Sequence, residues 1–169
     1  MNHAVVSALG PDRPGIVARV TSVLVDHGCN IADSHMGLLS GRFTMMLVVA
    51  VPDDFNGKRF LADLTSAGAD LDLDAIHAEY ISDDAPDAEP PSHLVTVYGA
   101  DHPGIVAAVT EALAGAGASI TDLQTRLAGE LYVMTIEVSG GDGAEAALRE
   151  VAAAQAVEIS VRPLDTDVL

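Results

Sequence analysis

An octapeptide that recurs constrains this chain more than any other feature. Residues Gly10 to Val17 read G-P-D-R-P-G-I-V, and residues Gly99 to Val106 read G-A-D-H-P-G-I-V. With Asp12 set on Asp101, the frame holds without a gap. Val20 meets Val109, Leu24 meets Leu113, Gly28 meets Gly117, Ile31 meets Ile120, Asp33 meets Asp122, Leu38 meets Leu127 and Met45 meets Met134. Self-similarity of that length marks one module used twice. The 169 residues then divide into a first module over 1–82, a linker over 83–92, a second module over 93–164 and a tail over 165–169. Each module is small, so packing against another module or another chain is expected to help stabilise it.

The repeated stretch reads as strand, tight turn and helix start. An apolar run, Val5 to Leu9, stops at Gly10. After Pro14, apolar residues recur at Ile16, Val17, Val20, Val23 and Leu24, which is helical spacing. Proline suits a first helical turn, where its missing N–H has no partner to lose. Asp12 and Asp101 stand just upstream. They are either caps for the free amides of that turn or contacts to a ligand. Gly15 and Gly104 leave the backbone bare, either for the turn or for close approach of another group. Accessible amides at a helix start favour anions.

The rest of each module follows the same order. After a helix over about 14–27, closed by Gly28, come a strand over 30–39, a Ser40-Gly41 turn and a strand over 43–51. Pro52-Asp53-Asp54 breaks it. A helix carrying Phe60, Leu61, Leu64 and Ala67 then closes at Gly68, and a fourth strand covers 71–81, with a bulge or a late helix end inside it. The linker holds three prolines and four acids and no large apolar residue, so it reads as solvated and semi-extended. The second module repeats the pattern: strand 94–98, helix 103–116 with Val106 facing inward, hairpin 119–138 around Gly129-Glu130, a helix after the turn at 140–143, and a strand through Val157, Ile159 and Val161. Each half is βαββαβ. The simplest packing is an α+β, ferredoxin-like unit, with an antiparallel sheet in order 4-1-3-2 and both helices on one face.

Composition narrows the function. The formal net charge is −17, which argues against direct contact with nucleic acid or with anionic membrane surfaces. Cys29 is the single cysteine, so no internal disulfide can form. No signal peptide pattern precedes the first strand, and the apolar run at 45–51 is too short to span a bilayer, so a cytoplasmic protein is expected. The six histidines are scattered without metal-ligand spacing. The turn at 140–143 lacks the Lys-Ser/Thr of a phosphate loop, and neither G-x-G-x-x-G nor a nucleophile elbow is present. No cofactor, metal or catalytic residue is therefore expected.

The repeat resembles the ACT domain. The residues that carry the likeness are G-x-D-x-P-G-I at Gly10–Ile16 and Gly99–Ile105, and G-x-x-I at Gly28–Ile31 and Gly117–Ile120. The tandem arrangement is similar to the glycine cleavage system transcriptional repressor family. The first half also resembles the N-terminal domain of formyltetrahydrofolate deformylases, whose catalytic domain has no counterpart in these 169 residues. The resemblance implies a regulatory module that binds an amino acid, glycine or serine among them, between paired domains.

Within one module, a first helix of about 14 residues is roughly 20 Å long and separates the turn from the start of the second strand. Two crossed sites are therefore expected if modules pair with first helices antiparallel. One joins Gly10, Asp12, Arg13 and Gly15 to Ser119 and Asp122; the other joins Gly99, Asp101, His102 and Gly104 to Asn30 and Asp33. Helix-start amides suit a carboxylate, and an Asp or Asn of the partner module suits an ammonium. Asp12 and Asp101 depart from serine-binding ACT domains, which carry Asn there. An ionised Asp repels a nearby carboxylate, which either reverses the ligand or prevents its binding.

Two function classes follow. In one, the chain senses a small molecule through its paired ACT domains and acts through a partner protein, with a homodimer as a possible form. In the other, it is a ligand-free protein–protein module that regulates an enzyme or a transcription factor.

Overall fold

The computed structural model describes residues 2–81, 89–129, 131–141 and 143–164. Most of the linker, Glu130, Asp142 and the tail over 165–169 lie outside the described residues. The chain forms two compact units, Met1–Pro86 and Asp87–Leu169. The first unit contains β1 (Asn2–Pro11), α1 (Ile16–Asp26), β2 (Asn30–Leu39), β3 (Arg42–Val51), α2 (Gly57–Asp70) and β4 (Ala75–Ile81). The second contains β5 (His93–Ala100), α3 (Ile105–Gly115), β6 (Ser119–Ala128), β7 (Leu131–Ser139), α4 (Ala144–Gln155) and β8 (Glu158–Pro163). The sheets run β2-β3-β1-β4 and β6-β7-β5-β8, and all pairs are antiparallel. This is the expected ferredoxin-like α+β topology, twice.

Alternation decides which sheet face is covered. In β1, Ala4, Val6 and Ala8 are buried; in β3, Phe43, Met45, Leu47, Val49 and Val51 are buried. They pack against Ile16, Val20, Val23 and Leu24 of α1 and Phe60, Leu64 and Ala67 of α2 in one core. Both helices therefore lie on one face. The second unit builds its core the same way, around Val95, Val97, Ile105, Val109, Leu113, Met134, Ile136 and Leu148.

Several boundaries differ from the sequence reading, each for a physical reason. α1 starts at Ile16 and α3 at Ile105, after Gly15 and Gly104, so Pro14 and Pro103 precede the first helical turn. Gly68 does not end α2. It is buried inside the helix, where a Cβ would come 2.8 Å from Ile76 Cγ2, so the missing side chain lets helix and strand approach closely. The helix ends two residues later, and β4 starts only at Ala75. Val17 and Val106 are exposed rather than inward.

The first helix of each unit is closed by one and the same motif. Gly28 adopts φ 68 and its N–H reaches the Val25 carbonyl at 3.0 Å, while the Cys29 N–H reaches that of Leu24 at 2.9 Å. Gly117 and Ala118 repeat this with Ala114 and Leu113 at 3.0 Å each. This double bond satisfies carbonyls that the helix end would leave unpaired. The turn between β2 and β3 has positive φ at both Ser40 and Gly41, the conformation that matches a two-residue hairpin to strand twist.

Candidate functional site

The Asp-x-Pro-Gly turn joins β1 to α1 and β5 to α3. Gly15 and Gly104 sit at the helix caps with φ 96 and φ 103, a region L side chains rarely enter. A Cβ at Gly15 would meet nothing within 4 Å, so backbone conformation, not space, selects glycine there. No side chain caps either helix. This corrects the capping reading of Asp12 and Asp101, whose exposed carboxylates leave the first-turn amides uncovered. The Asp12 backbone N–H donates to the Gly41 carbonyl at 3.1 Å, which ties the turn to the β2–β3 hairpin.

The residue after each aspartate anchors the turn to the chain at the C-terminal end of the second helix. Arg13 Nη2 lies 2.8 Å from Asp72 Oδ2. His102 does the same work with its ring: Nε2 lies 2.8 Å from the Gln155 carbonyl, and Nδ1 lies 3.1 Å from the Pro103 carbonyl. Carbonyls only accept, so both nitrogens are satisfied together only when both carry protons. Those two backbone bonds hold the His102 pKa above its ordinary value, with a further rise from Asp101.

Gly10 and Gly99 have a packing reason. A Cβ on Gly10 would come 2.9 Å from Leu73 Cα, and one on Gly99 would come 2.6 Å from Val157 Cγ1. Both glycines let the segment before the last strand cross close to the first. Tyr132, opposite Gly99 in the sheet, has its phenol pushed up by burial and then by the Asp101 charge.

Asn30 and Asp33 stand far from their own turn. Asn30 pairs with Ala50, which pairs with His3. Gly10 is seven residues further along β1, about 23 Å at 3.3 Å per residue. Ser119 and Asp122 pair with Ser139 and Glu137, at the corresponding far end of the second unit. The extra residues Ala32 and Thr121 bulge the edge strands just there. The pairing sets Asp33 opposite Val48, on the sheet face away from the helices. Asp33 Oδ1 accepts from the Ser34 N–H at 2.7 Å, and Asp122 Oδ2 accepts from Gln124 Nε2 at 3.2 Å. Within a unit, then, the candidate residues form two groups at opposite ends.

A family model described as the ACT domain matches residues 2–77 and 93–162, nearly the whole of both units. The chain belongs to the ACT domain family. Over 126 residues it is 31% identical to the glycine cleavage system transcriptional repressor of Escherichia coli, an alignment covering 74% of this chain and 65% of the repressor. It is 39% identical over 77 residues to a UPF0237 protein of Methanopyrus kandleri, covering 45% of this chain and 86% of that protein. A solved structure of an unknown protein from Galdieria sulphuraria is 31% identical with a TM-score of 0.81, covering 96% of this chain and 98% of that one.

Outside the turns, the first ACT unit holds a polar pair that the sequence did not signal. His27 Nε2 lies 2.8 Å from Asp63 Oδ2, with the His27 ring edge-on to Phe60 at 5.2 Å. His27 caps the end of α1 and Asp63 lies in α2, so no local spacing marks them. Cys29 is half-buried and its thiol pKa is raised by desolvation, so it is held neutral. Among the described residues, no group of three or more His, Cys, Asp or Glu could hold a metal ion, and no helix is long and apolar enough to cross a membrane.

Proposed function

We propose that this ACT protein is a non-catalytic regulator that senses a small amino acid, glycine or serine, in crossed sites between paired units. Each site joins the Asp-x-Pro-Gly turn of one unit to the edge-strand start of another, from the other half or from a second chain. The turn supplies uncapped helix-start amides for the carboxylate. Asn30 with Asp33, or Ser119 with Asp122, receives the ammonium. Asp12 and Asp101 stand at the same turn and repel a carboxylate there, so the reverse orientation, with the ammonium at the turn, is the alternative the site offers.

One observation carries this reading. Three apolar positions are identical in both copies and exposed in both: Val17 with Val106, Ile31 with Ile120, and Leu38 with Leu127, the last pair at 61% and 59%. Helix cores do not require apolar residues at exposed positions, and clusters of them mark interaction surfaces. Val17 stands in the first turn of α1, and Ile31 and Leu38 stand near the two ends of the edge strand β2. Antiparallel pairing across α1 and β2 would bring each turn to the far end of its neighbour. Ligand binding would act by favouring the paired arrangement, which a partner protein then reads.

The charge of −17 supports action through a protein rather than directly on DNA. A thermal-shift series with the twenty amino acids tests the reading. It predicts a dose-dependent rise with glycine or serine that is lost when residues 1–85 and 90–169 are separated as monomers. No rise with any amino acid would favour the ligand-free interaction module instead.

A further inference from the structure

We propose that the first unit carries a second, separate site, for a free amino acid with an aromatic side chain. It is a cavity of about 600 Å³ between the first turn of α2 and strand β4, floored by Ala4. That volume is in the usual range for small-molecule sites. The inference does not depend on the crossed sites, since Ala4 is six residues along β1 from Gly10, about 20 Å away.

The walls are aromatic in a chain that has little aromatic content. Phe55, Phe60 and Tyr80 line the cavity, out of three phenylalanines and three tyrosines in all. Phe55 meets Phe60 edge-to-face at 5.0 Å and Tyr80 at 5.8 Å. Tyr80 is 58% exposed, so the core does not need it. Gly57 makes room for it: a Cβ there would come 2.8 Å from the Tyr80 hydroxyl. Such rings offer edges and faces to a further flat ring.

The duplication provides an internal control. The corresponding opening of the second unit, beside His93 and the start of α4, is about 320 Å³ and is lined by Gly140, Gly141, Gly143 and Ala144 with no phenylalanine or tyrosine. The fold therefore forms without an aromatic wall at this place.

Charge selects the rest of the ligand. Lys58, the only lysine of the chain, and Asp54 both line the cavity. Neither makes an ion pair among the described residues. Glu79 also borders the cavity, but its carboxylate lies 3.7 Å from His77, a residue two along the strand and so on the sheet face away from the helices. One free cation and one free anion that do not meet each other match a zwitterion: carboxylate to Lys58, ammonium to Asp54.

Calorimetric titration of the full chain with L-phenylalanine tests this. The expected result is saturable binding that weakens at least tenfold for 3-phenylpropionate, which lacks the ammonium, and for phenethylamine, which lacks the carboxylate. Tyr80→Ser should weaken it tenfold or more. Gly57→Ala, which displaces the Tyr80 ring without disturbing the core, should do the same. Asp12→Ala and Asp101→Ala should leave it unchanged. No saturable binding, or binding that Tyr80→Ser and Gly57→Ala leave intact, overturns the proposal. Loss of binding on Asp12→Ala also overturns it, by placing phenylalanine at the turn.

Discussion

His102 holds the Gln155 carbonyl at 2.8 Å, in the place where the first unit sets Arg13 against Asp72. Two copies of one turn are thus fastened to the C-terminal end of the second helix by different chemistry. The arginine keeps its charge at every pH the protein meets; the histidine does not. The fastening in the second unit is therefore pH-dependent.

The first prediction takes its sign from that bond. Folding raises the His102 pKa above the ordinary 6.5. The stability it lends is therefore full below that value and fades as pH rises through the higher folded value. Imidazole resonances of His102 followed by NMR should titrate above 6.5, and His102→Arg should remove the fading. A titration at or below 6.5 would show that the two carbonyls do not hold the imidazolium.

Backbone strain gives the second. Gly15→Ala and Gly104→Ala place a side chain at φ 96 and φ 103 and should each cost about 1–2 kcal/mol in urea denaturation. Open space around Gly15 does not relieve this, because the strain lies in the residue itself. Gly15→Val is therefore expected to lower stability as well as any ligand affinity. An unchanged midpoint in both alanine variants would show that the turn relaxes freely.

A third concerns Asn56, whose side chain accepts from the Arg59 N–H at 3.1 Å and caps α2. Asn56→Ala should destabilise the first unit by about 1 kcal/mol. The second unit has no such bond, since Gly143 occupies the cap of α4. Amide exchange should quicken in α2 and stay unchanged in α4.

These sites also show how far the sequence could be read. The repeated turn, the apolar runs at Val5–Leu9 and Phe43–Val51, and the glycine pair Gly28 and Gly117 are local patterns, and they were enough to order both sheets. Contacts between distant residues were not legible. Nothing near Gly68 announces Ile76, and nothing near His102 announces Gln155. Asp12 has the spacing of a cap, but the left-handed glycine that follows it takes the cap position instead. For the site, the sequence supplied the two groups of residues and their separation along the chain. Their union depends on how units pair, a relationship no local pattern encodes.

Charge gives the fourth prediction. At −17 the purified protein should not shift DNA in a gel at physiological salt, because no counterion release offsets repulsion from the phosphates. A sequence-specific shift by the protein alone would require a basic surface that its eight Lys and Arg residues do not suggest.

The central claim is that one ligand touches two units, and amide NMR tests it most directly. Titrating glycine, and separately serine, into the ¹⁵N-labelled full chain should move the amides of Asp12 to Val17 together with those of Ser119 to Asp122, or those of Asp101 to Val106 together with Asn30 to Asp33, with one common affinity for each pair of groups. Movement of a turn without the edge-strand start assigned to it, or no movement in either group with both amino acids, would contradict the crossed site.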